Sequence, residues 1–430
     1  MSDSLYRKEN DYRLKELNLI LDSGDKLSLL DMFAEVNIYQ DIFGAPTYCD
    51  VLISDALDLY SQLPFKNTEH LEISFLSPGS NTVTKTLVMY SKENINLNPT
   101  GSTSQYSLRF VSKEIIKNIS TKLSKSYTGT LSDIVGAIWS SNFAQSDPIT
   151  VEPTDGEYTL ILPLNSPMSH INELTKKASR KENSNECNYM FFENFRGFNF
   201  VSLGGLFNQK INPDAIFSYK NPSVQEKEDQ QSGSNILKAR LTITDLVLVG
   251  KENLIDEITN GIYNGFVAAH DVKNKSFVGL RYGYKDGFQA SSHLNPHPIA
   301  TESTYKNTGF LSQYNTGFYG IFPPELKIKR QSQINSFLNR RIRFNVSGNS
   351  SINVGDKTYI EFPNQSNSKS FDSGTNKYRS GFYLISSIKH TINKLNGYTM
   401  TIEACTDSYA EALPEETQFE VEKGQGALPR

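Results

Sequence analysis

The side chains best suited to acid–base or metal chemistry in this 430-residue chain are its six histidines and 47 acidic residues. His293 and His297 stand in HLNPH, a spacing of four that would put both on one face of a helix. Pro296 breaks that helix, and no converging third or fourth ligand is offered, so a metal centre is not expected. His70, His170, His270 and His390 are isolated, which suits hydrogen-bonded structural roles better than base catalysis. The chain has no phosphate loop of the form GxxxxGK[ST], no dinucleotide GxGxxG after a strand, no HExxH and no GxSxG elbow. Among the carboxylates, no spacing singles out a pair of the kind glycosidases use. The expectation is a protein with no catalytic residue, no metal and no cofactor. Cys49, Cys187 and Cys405 are too few and too distant for a disulfide scaffold or a zinc ribbon, and read as buried thiols.

Charge clusters carry more information. Lys327, Lys329, Arg330, Arg340, Arg341 and Arg343 concentrate positive charge on one predicted helix and the strand after it. Two readings stay open, docking against an acidic partner or a solvated face, and arginine is enriched at interfaces. The C-terminal tail, with Glu415, Glu416 and Glu420, carries the opposite sign and either pairs with such a patch on a neighbour or is solvated. Tyrosine and phenylalanine recur through 283–322, residue types that anchor interfaces. These features together suit a protein that binds protein. The net charge of −4 argues against a dedicated nucleic-acid or membrane-surface binder. No apolar run approaches the ~18 residues that span a bilayer. The first ten residues lack an apolar segment, so the expectation is a soluble protein made in a reducing cytosol.

The elements that would position these groups are mostly strands. Segments 11–21, 27–40, 49–54, 71–76, 84–90 and 106–111 alternate apolar and polar residues or form short apolar runs, with a turn at Ser77-Pro78-Gly79. This spacing predicts a small antiparallel barrel or sandwich over 17–111, after an arm of residues 1–16. Ile115, Ile116, Ile119 and Leu123 recur at helical spacing among Lys113, Lys117 and Lys122, and Thr130 is a capping candidate for a second helix carrying Ile134, Val135, Ile138 and Trp139. A helix over 170–180 follows, with Pro167 near its first turn, and then an aromatic hairpin through Arg196-Gly197. Segment 225–235 is wholly polar and reads as a loop. The β pattern resumes at 239–250 and extends through 259–270, whereas 283–316 lacks periodicity and reads as long loops. A helix over 325–341 precedes the clearest β block: strands at 341–346 and 358–362, and a hairpin joining 381–392 to 397–405 through Asn396-Gly397.

In order and pattern the chain resembles the baseplate hub proteins of contractile-tailed, T-even-like phages, a family related to the hub part of type VI secretion spike proteins. Three places carry the resemblance: AEVNIYQDIFGAPTYCDVLISDALDLYSQLP with EHLEISFLSPG (34–79); LSKSYTGTLSDIVGAIW (123–139) with the helix and aromatic hairpin SPMSHINELTKKASRKE and YMFFENFRGFNFVSLGGL; and GFYLISSIKHTIN with GYTMTIEACTDSYAE (381–411). The resemblance implies an α+β, mainly β fold with two similar antiparallel β-barrel (tube) domains and α+β insertions, forming a ring. The first tube domain would be 17–111. An α+β decoration would occupy 112–225, and 235–277 with 340–407 would form the second tube domain, split by an insertion at 278–339. An acidic tail (408–430) would follow. It also implies a structural virion protein that forms a homotrimer. That ring would join the six-fold tail tube, or its initiator, to the three-fold central spike, contact baseplate wedge proteins and pass DNA through its channel. The protein would be assembled in the host cytoplasm and end in the virion baseplate. The rival readings are a tail-associated cell-wall hydrolase and the hub of a secretion or tailocin particle.

Overall fold

The computed structural model describes residues 8–62, 65–96, 103–144, 146–219, 239–250, 253–271, 274–300, 312–319, 322–363 and 375–413. The first β block contains β1 (Arg13–Ile20), β2 (Lys26–Ser28), β3 (Phe33–Asp41), β4 (Gly44–Asp55), the short helix α1 (Leu59–Gln62), β5 (His70–Leu76), β6 (Val83–Asn96) and β7 (Ser104–Ser112). Period-two patterning decides which face goes inward: Val36 and Ile38 of β3 are buried, while Glu35, Asn37 and Tyr39 between them are only partly covered. The turn between β5 and β6 is the one read from Ser77-Pro78-Gly79, with Gly79 at φ +73°.

An α+β module follows. Its elements are α2 (Lys113–Ser120), β8 (Leu123–Gly129), α3 (Leu131–Asn142), β9 (Ile149–Val151), β10 (Tyr158–Asn165), α4 (Pro167–Thr175), β11 (Tyr189–Asn194), β12 (Gly197–Ser202) and α5 (Leu203–Asn208). The single helix suggested by the run from Ile115 to Leu123 ends at Ser120, because Thr121 turns extended and Leu123 opens a strand. Thr130 does cap α3, in a reciprocal box with Asp133. The core of this module forms around Trp139, whose ring lies 4.5 Å from Phe198 and 4.6 Å from Phe143, centroid to centroid.

The rest of the chain returns to strands. It contains β13 (Ile216–Tyr219), β14 (Thr242–Ile243), β15 (Asp245–Leu248), α6 (Leu254–Thr259), β16 (Asn264–Asp271), β17 (Ser276–Gly283), α7 (Tyr284–Gln289), β18 (His297–Pro298), β19 (Ser312–Tyr319) and α8 (Glu325–Asn339). The closing block is β20 (Arg340–Ser347), β21 (Lys357–Glu361), β22 (Gly381–Asn393), β23 (Gly397–Thr406) and β24 (Ser408–Tyr409). Two readings change here. The stretch expected to be loops holds α7 and β19, since Tyr284 packs into the molecule beside Tyr263 without any periodic signal. Segment 259–270 starts as the end of α6, and β16 joins β17 and β19 in a separate sheet instead of the strands expected beside it. The polar loop at 225–235 lies outside the described residues.

Fourteen strands form one branched sheet in the order β14-β13-β21-β22-β3-β4-β7-β6-β5-β1-β2, with β23, β20 and β15 branching from β22. The fold is mainly β, but among the described residues this sheet ends on open strands and does not close into a barrel. Strand β22 joins the two blocks. Its first residues, Gly381–Leu384, pair with β21, and from Ser387 to Asn393 the same side pairs with β3, while its other side pairs with β23 from Leu384 to Asn393. A register shift between Ile385 and Ser387 marks the handover, the usual work of a bulge. One apolar core therefore runs through both blocks, bringing Phe75 within 5.7 Å of Tyr398 and 5.8 Å of Phe195.

Candidate interface sites

The basic cluster read from the sequence sits along α8 and β20, partly exposed, and most of its members are engaged within the chain. Arg330 donates to the backbone carbonyls of Thr175 (3.1 Å), Cys187 (3.3 Å) and Tyr189 (3.4 Å), tying α8 to α4 and β11. Burial pulls its guanidinium below the ordinary arginine range. Lys329 donates to Asn185 at 2.9 Å. Arg341 and Arg343 share the Glu403 carboxylate at 3.3 and 3.1 Å, and Arg340 lies 3.9 Å over the ring of Tyr409. Lys327 is exposed. Glu415, Glu416 and Glu420 lie outside the described residues.

The histidines read as isolated divide in two, with His170 and His390 buried and His70 and His270 exposed. His390 is fully buried and burial pulls it down to about 3, so the ring is neutral; its Nδ1 lies 2.8 Å from the Tyr398 hydroxyl. His170 is also buried, with Nε2 3.2 Å from the Leu123 carbonyl. His293 belongs to an arrangement the sequence did not disclose, because its partner Asp407 lies 114 residues away. Nδ1 of His293 stands 2.7 Å from Asp407 Oδ2, and Nε2 stands 3.3 Å from Ser291 Oγ.

The order serine, histidine, aspartate invites a nucleophile reading, and the hydrogen bonds exclude it. Nε2 also lies 2.8 Å from the Phe288 carbonyl, which only accepts, so Nε2 carries a hydrogen and has no lone pair for the serine proton. Ser291 already donates to the Gly287 carbonyl at 2.7 Å. Burial alone would push His293 down; the facing Asp407 carboxylate and the Phe288 carbonyl outweigh it and hold the ring above its ordinary value. The imidazolium, stacked 3.5 Å from the Phe288 ring, is a clamp. It fixes 288–298 to the end of β23, helped by Asn295, which donates to Phe382, Thr406 and Ser408. The cavity beside it measures about 30 Å³, room for about one water and far below the roughly 300–1,000 Å³ of a ligand pocket.

One buried electrostatic site is a joint. Glu193, on the aromatic strand β11, accepts from Lys85 at 3.0 Å, from the Thr47 backbone N–H at 2.8 Å and from the Ser112 hydroxyl. Lys85 also pairs with Asp147. Burial would lower the Lys85 ammonium, but Glu193 and Asp147 more than offset this and hold it above its ordinary value. This network fastens the α+β module to β4, β6 and β7. It was hidden because Glu193 sits in a run, YMFFEN, that reads as an apolar strand.

Two exposed apolar surfaces stand out among the described residues. There, strand β15 pairs only with β20, so its far edge is open, and Val247 and Leu248 on it are exposed together with Leu254 and Ile255 of α6. The second lies on α2 and β10, where Ile116, Ile119, Ile161 and Leu164 all face outward. Open apolar edges are the places where β proteins pair with other chains.

No family model matches the chain. It is 21% identical over 301 residues to the probable baseplate hub protein gp334 of Vibrio phage KVP40, a match spanning 65% of this chain. The match takes in 66% of that relative's own length, just short of two thirds. The fold is similar to that of a tail protein from Neisseria meningitidis MC58, with a TM-score of 0.55, 9% identity, and coverage of 92% of this chain and 97% of that one. It is also similar to the 43 kDa tail protein of prophage MuSo2 from Shewanella oneidensis, with a TM-score of 0.54, 10% identity, and coverage of 91% and 98%. The resemblance to baseplate hub proteins read from the sequence is borne out in these comparisons. The names these relatives carry are those of tail and baseplate proteins, in line with the expectation of a protein that is not an enzyme.

Proposed function

We propose that the chain is the central hub of a contractile-tail baseplate in the virion, three copies forming a ring that joins a six-fold tail tube to a three-fold spike and lets DNA through. The observation that carries this reading is the single sheet that fuses both β blocks and ends on open strands, one of them lined by Val247 and Leu248. In this reading the two blocks are the tube modules, three chains supply six near-equivalent positions, and the open edges are covered by neighbouring copies. Spike, tube and wedge proteins are the partners, and the α+β module stands outside the ring. Assembly takes place in the host cytoplasm.

Light scattering on the purified chain, alone and with its spike protein, tests this. A trimer in either sample is the expected result, and Val247→Lys with Leu248→Lys should shift it toward monomer. A wild-type monomer that binds neither spike nor tube protein under assembly conditions would overturn the reading.

A further inference from the structure

Helix α2 turns Ile116 and Ile119 outward while Ile115 packs on the core of the α+β module. A surface helix normally turns its apolar stripe to the core and its charges to water. Here the buried residues are Glu114 and Asn118, while Ile116 and Ile119 are 45% and 66% exposed. The polar face is held in place: Asn118 accepts the Met168 N–H at 2.8 Å, and burial raises the Glu114 carboxyl above its ordinary range. Two residues after α2, β8 begins with Leu123 paired to Asn165, which sets Leu164 beside the end of the helix. Leu164 is 72% exposed and Ile161 of β10 is 80% exposed. Around them stand Lys113, Lys117, Lys122 and Lys125, none of which forms an ion pair among the described residues.

We propose that this lysine-rimmed apolar surface is the docking site of the chain's own C-terminal segment, residues 415–422. Complementarity picks this occupant. The segment reads EETQFEVE, with Phe419 and Val421 as apolar anchors between Glu415, Glu416, Glu420 and Glu422. Its charge has the sign the lysines lack, and its two anchors match an apolar surface rimmed by cations. The arginines that compete for the same glutamates, Arg341 and Arg343, are engaged by Glu403. Phe419 and Glu422 stand six and nine residues past Leu413, up to roughly 20 and 30 Å of extended chain. The inference stands apart from the hub reading and does not depend on ring formation.

A benzophenone-bearing amino acid in place of Phe419 in the full-length chain, followed by photolysis and peptide mapping, tests the site. Crosslinks to 113–125 and 161–164 are expected. Lys117→Glu, Lys122→Glu and Lys125→Glu together should lower their yield roughly tenfold. Adding Glu415→Lys, Glu416→Lys and Glu420→Lys should restore it. All of these lysines are surface residues, so the variants test contact and not folding. Crosslinks concentrated elsewhere, or a yield indifferent to charge reversal, would overturn the proposal. So would Ile119 contacting Ile119 of a second copy in place of the tail.

Discussion

Two joints hold this molecule together, and they use opposite physics. The two β blocks meet through an apolar joint behind the backbone ladder of β3 on β22, with Phe75 packed on Tyr398 and Phe195 of the α+β module set against Phe75. The first β block meets the α+β module through apolar contacts, Ile42 in one cluster with Met190 and Phe192, and through an ionic joint, where Lys85, Glu193 and Asp147 are fastened to Ser112 and the Thr47 backbone. Apolar contact is non-directional, so the first joint is strong because of area. The second is directional and stands only while every partner is present. A hub that must stay one rigid unit would need the first; a module seated in one fixed orientation needs the second.

The largest effect should come from the apolar joint. Phe75→Ala removes a fully buried ring and leaves a cavity between the blocks, at a cost of about 4 kcal/mol. Because one core serves both blocks, urea unfolding followed by probes in each should move together. Separate transitions would break the idea of a fused core. Next in size is Lys85→Met, which strands Glu193 without its cation at a cost of about 3 kcal/mol. Replacing both with well-packed apolar residues, Lys85→Met with Glu193→Leu, should recover part of that loss, since it removes the buried charge altogether. A double variant weaker than either single would mean that the joint holds by packing and not by charge.

How much of this could be read beforehand follows from what periodicity encodes. Alternation exposed β3, β22 and β23, and the hairpin between the last two, because an inward face leaves a period of two. The loop detail differed: Asn393 pairs with Gly397, so the turn holds Lys394, Leu395 and Asn396, with Gly397 at φ +79° closing it. The capping box of α3 was visible because its partners are three residues apart. Periodicity found the apolar stripe of α2 but carries no information on what that stripe faces, so the outward turn of Ile116 and Ile119 was out of reach. Glu193, and the pairing of His293 with Asp407, were equally hidden, since long-range contacts leave no local pattern.

The apolar joint and the His293–Asp407 clamp should also differ in their response to pH, through one histidine each. His390 lies in the apolar joint, neutral and pulled down to about 3 by burial. Below about 6.5 the unfolded chain takes up a proton that the folded ring refuses. Its contribution is therefore complete above 6.5 and falls by about 1.4 kcal/mol per pH unit as acid is added. His390→Gln, which keeps an acceptor near the Tyr398 hydroxyl, should flatten that acid limb in urea titrations between pH 6.5 and 4. An unchanged slope would remove His390 as its cause.

His293 should give the smaller effect, with the opposite sign. Asp407 and the Phe288 carbonyl raise it above its unfolded value against the pull of burial. A raised histidine contributes fully below about 6.5, and that contribution is lost as pH climbs through the folded value. The other groups facing it, Glu186 and Tyr284, come from the α+β module and α7, so the loss should loosen the clamp over 288–298 before it unfolds the sheet. Hydrogen exchange at Leu294 and Asn295, whose N–H groups donate to Asp407 and Ser408, reads this directly. Protection there should fall as pH rises above neutral in the wild type while Ile388 and Ile402 stay protected, and Asp407→Asn should lose it already at neutral pH. Equal loss at Ile402 would mean that the clamp and the sheet open as one unit and that the ionic and apolar parts of this molecule are not separable.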